Sequence, residues 1–283
     1  MKAAIIANPI KDEGYRTANR AAEILLSAGV QVLAEREALA SLPAGVLGAS
    51  GEELPGADFI VTLGGDGTIL AAARGAAGRA PLLGVNMGRK GFLAEVELPH
   101  METALIRAAR GEFRVEKRMM LSASVFDPED RMHSAGLALN DFFLTGVVSP
   151  RLIRVEAMVG RNVAGRFAAD GVLVSSPTGS TGYSLSAGGP VVSPDVECMV
   201  LTPVCAHTLS AVPLVIPPGE VVTLRALDPV KDVRLNADGE ERARLSIGWR
   251  AEITRAKEEA LFVRFDNGDF YGLLRNKLVE WND

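Results

Sequence analysis

The sequence predicts an α/β domain joined to a second, β-rich domain, and three observations support this. Over the first hundred residues, short apolar runs alternate with segments of helical periodicity, which indicates βαβ units and a parallel sheet. From about Val115, short β-branched segments are separated by Gly, Asn, Asp and Pro, a pattern typical of antiparallel strands. Near the end, an apolar run and an amphipathic helix follow, so the last segment is expected to pack on the first domain.

Each element of the first domain has a recognisable signal. The helix from residue 99 to residue 110 starts with Pro and is followed by Gly111, the preferred residues at those two positions. The other predicted elements are strands at 2–7, 30–34, 59–63 and 82–85 and helices at 15–28 and 68–74.

The second domain is predicted from alternating segments at 121–126, 152–159, 172–175 and 221–226, and the final elements are a strand at 261–265 and a helix at 270–281. We therefore expect a Rossmann-like α/β domain made of residues 1–112 and 262–283. Residues 113–261 are expected to form an antiparallel, sandwich-like β domain.

Composition excludes several classes of protein. The 283 residues are 48% hydrophobic, enough for one large core or two ordinary ones. Acidic and basic residues are interleaved along the chain, so nucleic acid is a poor partner. No apolar run suits a signal peptide or a membrane helix, and the two cysteines are too few for a disulfide scaffold. We expect a cytoplasmic protein with no membrane association.

The segment Gly64-Gly65-Asp66-Gly67-Thr68 lies between a predicted buried strand and a predicted helix. Its glycines let the backbone approach a ligand closely, and N–H groups at the helix start favour an anion, so phosphate is the expected ligand. A carboxylate beside phosphate is repelled unless it holds Mg²⁺ or accepts a proton from an attacking hydroxyl group, which indicates phosphoryl transfer. In the alternative interpretation, Asp66 only caps the helix.

Other ligand sites fit the sequence less well. Residues 65–70 lack the third glycine of the dinucleotide-binding fingerprint, and no segment matches GxxxxGK[ST], so the chain is neither an ordinary dehydrogenase nor a P-loop enzyme. Zinc binding by Cys198, Cys205 and His207 is disfavoured because their spacing fits no CxxC-type pair and a fourth ligand is not evident.

Residues 170–190 form a second candidate site, in which a strand runs into a loop dense in Gly, Ser and Thr. The backbone donors and hydroxyl groups of such a loop suit ribose, phosphate or a base edge, and Tyr183 and Leu185 supply bulky anchors. The alternative is a flexible surface turn.

Two shorter polar pairs also lie near predicted strands. Asn140 and Asp141 can together bind a base edge or sugar hydroxyls, or they form an Asx turn that enters a strand. Residues 236–240, Asn-Ala-Asp-Gly-Glu, predict a hairpin turn.

Taken together, these motifs resemble those of the NAD kinases. The resemblance rests on residues 64–68, on Asn140-Asp141 and above all on residues 176–190, in matching order and spacing. Residues 84–93 and 202–210 resemble further family segments, so the match covers nearly the whole chain. Similar GGDG loops occur in diacylglycerol kinases, sphingosine kinases and phosphofructokinases. The long Pro-Thr-Gly-Ser-Thr segment is more specific to the NAD kinases.

The resemblance implies phosphoryl transfer from ATP, or from polyphosphate, to the 2′-hydroxyl of the adenosine ribose of NAD, with Mg²⁺ or another divalent cation held mainly through phosphates. It also implies a nucleotide site in the crevice between the domains and a homotetramer with NAD near a subunit boundary. Asp66 would be the general base or the residue that organises Mg²⁺ and the hydroxyl group.

The resemblance also assigns binding residues. Phosphate would lie against Gly64, Gly65, Gly67 and Thr68. The residues implied to bind the substrates are Asp66, Gly67, Asn140, Asp141, Arg151, Asp170, Thr181, Gly182, Tyr183, Ser184 and Ser186.

This chain departs from the family pattern at four positions. Asp141 stands where relatives more often have Glu, and Gly182 replaces the usual Ala. Ala168 lies where some relatives carry a basic residue, and Val212 lies where many have Arg. These changes bear on donor choice and on NAD against NADH preference. Two rival functions are a lipid or sugar kinase that uses the same loop and a non-catalytic NAD(H)-binding regulator.

Overall fold

The computed structural model describes residues 1–88, 91–147, 152–207, 211–227, 233–265 and 269–280. The chain divides into two compact units. Unit 1 comprises Met1–Lys117 and Ala260–Asp283, and unit 2 comprises Arg118–Glu259. Within the described ranges, no helix combines the length and the apolar character that a membrane crossing requires.

Unit 1 begins with alternating strands and helices. Its strands are β1 (Lys2–Ala7), β2 (Gln31–Glu35), β3 (Leu47–Ala49), β4 (Phe59–Gly64), β5 (Leu82–Asn86) and β6 (Val96–Glu97). Its first three helices are α1 (Arg16–Ser27), α2 (Asp66–Ala76) and α3 (Met101–Ala109).

These strands form a parallel sheet in the order β3, β2, β1, β4, β5, as the Rossmann-like prediction requires. The chain order reverses at β1, which has β2 on one side and β4 on the other. Ligands of open α/β sheets bind beyond the carboxyl ends of the strands at such a reversal. Asn8, just after β1, and Gly64, at the end of β4, lie at this point.

The first helix starts later than the sequence predicts. Tyr15 has a φ of 55°, in the left-handed region, so the helix begins at Arg16. The buried carboxylate of Asp12 accepts hydrogen bonds from the N–H groups of Thr17 and Ala18, both at 2.8 Å. This satisfies two donors of the first turn, which have no acceptor within the helix.

Most of the remaining strands belong to unit 2. They are β7 (Arg114–Phe126), β8 (Met132–Ala138), β9 (Asp141–Gly146), β10 (Ile153–Val159), β11 (Asn162–Ala169), β12 (Gly171–Ser175), β13 (Met199–Val204), β14 (Leu214–Ile216), β15 (Val222–Ala226), β16 (Val233–Ala237), β17 (Glu240–Leu245) and β18 (Arg250–Arg264). The helices are α4 (Tyr183–Ser186) and, at the end of the chain, α5 (Phe270–Glu280).

Unit 2 is antiparallel throughout its described pairings. One sheet has the order β14, β13, β12, β9, β16, β17. A second set pairs β11, β10, β15 and the start of β18, and β7 pairs with β8. Buried apolar side chains from both sets, such as Phe142, Leu144, Val155 and Leu224, form one core. This confirms the predicted sandwich-like domain.

The end of β18 belongs to unit 1. Phe262 pairs in parallel with Leu82 of β5, so the predicted return of the final segment to the first domain is confirmed.

Candidate functional site

The three glycines at the end of β4 and just beyond it, Gly64, Gly65 and Gly67, serve different purposes. A Cβ on Gly64 would overlap the side chain of Thr68, so this glycine permits close packing of strand on helix. A Cβ on Gly65 would lie 2.6 Å from Nζ of Lys11, so this glycine leaves room for the lysine. Gly67 is exposed, and no described atom lies within 4 Å of its Cβ position. Open space therefore remains at the first turn of α2, where a helix favours anions.

Asp66 is the first residue of α2, and its carboxylate faces a neighbouring backbone segment. The N–H of Phe92 donates to Oδ2 at 2.9 Å, and the N–H of Leu93 donates to Oδ1 at 3.4 Å. Gly91 is needed for this approach, because a Cβ there would overlap the carboxylate. The helix has Gly65 at its N-cap and no side-chain cap. The interpretation in which Asp66 only caps the helix is therefore wrong.

A buried arginine fixes the backbone that holds Asp66. The Arg264 guanidinium donates to the carbonyl oxygen of Leu93 at 3.3 Å, to Glu95 at 3.0 Å, and to Glu116. The N–H of Phe265 donates to the second oxygen of Glu95 at 3.0 Å. Arg264 is not among the predicted site residues, although a charged residue inside the apolar run 261–265 is a signal for a buried ion pair.

The protein groups near Asp66 suit a metal held mainly by a nucleotide. Mg²⁺ prefers oxygen ligands and commonly binds through one or two carboxylates together with substrate phosphates and waters. Among the residues described, no three His, Cys, Asp or Glu side chains are grouped so that they could hold a metal ion. Cys198, Cys205 and His207 therefore do not form such a group. The oxygens of Asp66 keep lone pairs beyond the two N–H bonds. Asp66 therefore fits as one ligand of a phosphate-bound cation.

In unit 2, the loop after β12 is buried against Asn140. The N–H of Ser176 donates to the carbonyl oxygen of Asn140 at 2.8 Å, and its hydroxyl donates to that of Leu139. A Cβ on Gly179 would overlap the backbone of Asn140. Ser180 is fully buried. The alternative of a flexible surface turn is therefore wrong.

Asp238 holds the backbone of the Asn140-Asp141 pair. Its carboxylate accepts the N–H groups of Leu139, Asn140 and Asp141 at 3.0, 2.7 and 3.2 Å. Asp238 and Gly239, with φ of 49° and 85°, join β16 to β17, so the predicted hairpin turn is confirmed. This support could not be predicted from the sequence, because the two segments are nearly a hundred residues apart.

Burial distinguishes Asp141 from ordinary surface aspartates. The side chain is 7% exposed, and desolvation together with the charge of Asp238 raises its pKa from 3.8 to about 7. Its carboxyl group therefore gains and loses its proton near neutral pH. As an anion it can accept two hydrogen bonds from sugar hydroxyls or a base edge.

We expect this carboxyl group to make stability depend on pH. The folded chain binds the proton more tightly than the unfolded chain, so this contribution to stability is full below about pH 4 and is lost as pH rises through about 7. Asp141→Asn carries no charge at any pH. Its stability relative to the wild type should therefore increase between about pH 5 and about pH 8 by on the order of 2 kcal/mol.

Urea unfolding of the ligand-free protein at a series of pH values measures this difference. Asp195→Asn, at an exposed position of unit 2, is the matched control and should follow the wild type at each pH. An Asp141→Asn variant that parallels the wild type over the whole range would contradict the assignment.

Asn140 carries a buried acceptor without a partner. Its Oδ1 makes no hydrogen bond with any described residue, so the predicted alternative of an Asx turn is wrong for this side chain. A buried unsatisfied amide oxygen costs free energy, and a donor from a ligand would remove that cost. Together with Asp141, it gives unit 2 a fixed acceptor beside a carboxyl group.

Tyr183 lies against Phe143 in an edge-to-face contact, with ring centroids 5.3 Å apart. The pKa of Tyr183 is raised, first by burial and then by the negative charges of Cys205, Asp170 and Asp141. Although partly buried, the tyrosine keeps 46% of its surface exposed. It therefore offers an accessible aromatic face against which a planar group can stack.

The other predicted binding residues differ in accessibility. Ser184 is fully buried, with its hydroxyl 3.1 Å from that of Thr202, and the Thr181 hydroxyl donates to the carbonyl oxygen of Thr178 at 3.2 Å. These two hydroxyl groups stabilise the loop from within. Ser186 and Asp170 are exposed, whereas Arg151 lies outside the described residues. The assigned contacts of all these residues with substrate stay predictions.

Two family models match this chain. The model of the ATP-NAD kinase N-terminal domain matches residues 3–113, and that of the ATP-NAD kinase C-terminal domain matches residues 139–265. The chain belongs to the ATP-NAD kinase family. Membership makes it an enzyme, a phosphotransferase that phosphorylates NAD, and it excludes both the lipid- or sugar-kinase alternative and the non-catalytic regulator.

Curated ATP-NAD kinase relatives are similar over nearly their full length. The NAD kinase of Moorella thermoacetica is 40% identical over 277 residues, which are 98% of this chain and 88% of that protein. The NAD kinase of Desulforamulus reducens is 39% identical over 281 residues, or 99% of this chain and 97% of that protein.

Solved structures share the ATP-NAD kinase fold. An NAD kinase from Archaeoglobus fulgidus in complex with ATP superposes with a TM-score of 0.79 at 29% identity, over 98% of each chain. Yeast NADH kinase complexed with NADH gives a TM-score of 0.90 over 100% of this chain and 88% of its own. At 24% identity, the second comparison concerns the fold alone.

Proposed function

We propose that this enzyme transfers the γ-phosphoryl group of ATP to the 2′-hydroxyl of the adenosine ribose of NAD, and that Asp66 acts on that hydroxyl. The observation that carries the proposal is the fixed Asp66 carboxylate, held by the N–H groups of Phe92 and Leu93 beyond the carboxyl end of a parallel sheet. A carboxylate in one fixed orientation is suited to position a hydroxyl group, and positioning supplies much of the rate in phosphoryl transfer.

The proposed reaction balances without any further reactant. The 2′-oxygen forms a bond to the γ-phosphorus, the bond between that phosphorus and the β,γ-bridging oxygen breaks, and ADP leaves with the bridging electron pair. The hydroxyl proton passes to an oxygen of Asp66 as general base, or Asp66 only orients the hydroxyl. Gly64, Gly65, Gly67 and Thr68 would surround the phosphates, and N–H groups at the start of α2 would offset their charge.

Unit 2 supplies groups suited to the dinucleotide. The unpartnered Oδ1 of Asn140 would accept a hydrogen bond from an adenine amino or ribose hydroxyl group, and Asp141 would accept from a sugar hydroxyl. Tyr183 would stack against a planar ring of NAD. Asp170, Thr181, Gly182, Ser184, Ser186 and Arg151 complete the proposed set.

Mg²⁺ is the proposed metal, with Asp66 as the protein group near it. When bound to the triphosphate, a divalent cation neutralises charge on the transferring and leaving phosphate oxygens. This proposal is supported by the carboxylate oxygens of Asp66, which keep lone pairs beyond the two N–H bonds that they accept.

We further propose a homotetramer located in the cytoplasm. Large apolar side chains of unit 2, such as Val163, Val212 and Val215, are more than half exposed, which supports subunit contacts in this unit. The two cysteines are not paired with each other, which suits a reducing compartment. Light scattering of the purified protein tests the oligomeric state.

The direct test is formation of NADP by the purified protein. With ATP, NAD and MgCl₂, we expect a product that an NADP-specific dehydrogenase can reduce, because such an enzyme requires the 2′-phosphate. The 2′-deoxyribose analogue of NAD should give no product, and chelation of Mg²⁺ by EDTA should stop the reaction.

The same assay with polyphosphate in place of ATP measures donor choice. ADP release with the 2′-deoxy analogue at the rate found with NAD, which is measured without the NADP-specific dehydrogenase, would mean that another hydroxyl is phosphorylated. Absence of any product from NAD with either donor would overturn the proposed reaction.

A further inference from the structure

Lys11 places its ammonium group directly over the glycine-rich loop. Its Nζ lies 2.6 Å from the Cβ position of Gly65 and 3.2 Å from the Cβ position of Gly88. These two glycines follow neighbouring strands, β4 and β5. A side chain at either position would crowd the ammonium group, so both glycines leave space for the same cation.

The backbone on each side of Lys11 is held in place. Oδ1 of Asn8 accepts the N–H groups of Ile10 and Lys11 at 2.9 and 3.3 Å, and Asp12 is anchored through the first turn of α1. On the opposite side, the side-chain amide of the buried Asn86 donates to the carbonyl oxygen of Gly88 at 3.1 Å. Hydrogen bonds therefore support the backbone at Lys11 and at Gly88, the two segments between which the exposed ammonium group lies.

The ammonium group has no anionic partner among the residues of the structure described above. Among the described residues, no hydrogen bond or ion pair involves its Nζ, and the carboxylate of Asp66 accepts the N–H groups of Phe92 and Leu93. An exposed lysine head usually extends into water, whereas this one lies against two glycine backbones. A cation held over an anion-favouring loop without a counter-charge suits a phosphate.

We propose that Lys11 binds the terminal phosphates of the triphosphate donor and thereby sets the preference for a polyanionic donor. This proposal rests on the proposed phosphoryl transfer. In it, Lys11 adds a side-chain cation to a loop that otherwise offers only backbone N–H groups to the phosphates. Lysine is a point charge with three donors, so it can follow a phosphate from substrate to product without a fixed bidentate geometry.

The test compares Lys11→Met, Lys11→Arg and the control Lys257→Met, which removes an exposed lysine of β18. We expect Lys11→Met to raise the KM for ATP by about 10- to 100-fold, the loss typical of one charge-assisted hydrogen bond, with little change in the KM for NAD. Lys11→Arg should recover part of the affinity, and Lys257→Met should match the wild type.

Calorimetric titration with inorganic tripolyphosphate separates this proposal from the catalytic one, because it needs no turnover. The wild type should bind tripolyphosphate more weakly as salt increases, and Lys11→Met should lose about 10-fold or more in affinity. Unchanged tripolyphosphate affinity in a folded Lys11→Met variant would overturn the proposal, whatever the wild type does with NAD.

Discussion

Replacement of Asp66 by asparagine is expected to lower kcat for NADP formation by about 10²- to 10⁴-fold, the range that a positioned general base contributes. Asparagine keeps the size of the side chain but loses the charge and one acceptor. Its amide nitrogen would also face the N–H of Phe92 or Leu93, so we expect a stability loss of about 1 kcal/mol. Initial rates with saturating ATP and NAD measure the first effect, and thermal unfolding measures the second.

The variant Gly91→Ala keeps the Asp66 carboxylate but changes its position, so it tests whether that position matters for turnover. The new methyl group would overlap the Asp66 carboxylate and displace it, although the charge remains. We therefore expect a loss of kcat that approaches the loss in Asp66→Asn, while ATP and NAD still bind in calorimetry. Near-normal turnover by a folded Asp66→Asn protein would contradict the proposal that Asp66 acts on the 2′-hydroxyl.

Replacement of Gly179 by alanine should disrupt NAD binding most strongly among changes in unit 2. The added Cβ would overlap the backbone carbonyl of Asn140, and a backbone group cannot rotate away as a side chain can. The loop must move relative to Asn140, which we expect to cost about 1–3 kcal/mol of stability and to raise the KM for NAD by at least about 10-fold.

Gly182→Ala is the matched control for this change. A Cβ there would lie 3.3 Å from the carbonyl oxygen of Gly179 and 3.5 Å from the side-chain nitrogen of Asn140, so a small shift accommodates it. We expect its KM for NAD to remain within about 3-fold of the wild type, since small adjustments cost well under 1 kcal/mol. If both variants behave alike, the contact between Gly179 and Asn140 has no role in binding.

Much of the fold could be predicted from the sequence, since local signals and tertiary packing agree in unit 1. The apolar runs that became β1, β4 and β5 are buried on both faces of a parallel sheet, which gives continuous hydrophobic segments. In unit 2, the first half of β18 was not predicted. Residues 250–260 are rich in Ala, Glu, Lys and Arg, which favour helices, and pairing with β15 overrides that preference.

Only the sequence motifs of the candidate site could be predicted from the sequence. Glycine spacing and the position of Asp66 could be interpreted locally, because a strand, a loop and a helix follow one another in the chain. The supports could not be found in this way. Asp238 reaches Asn140 across 98 positions and Arg264 reaches Leu93 across 171, so only the folded pairing of strands reveals them.

The long strand β18 has a consequence for how the protein is made. The parallel sheet of unit 1 receives Phe262, and the backbone beside Asp66 receives Arg264, from a part of the chain that a ribosome produces only after all of unit 2. During synthesis, Leu82 of β5 therefore lacks its pairing partner Phe262 until translation has passed that residue. Unit 1 therefore begins to emerge before unit 2 but is completed after it, and the backbone at Leu93 gains its hydrogen bond from Arg264 only once translation has passed residue 264.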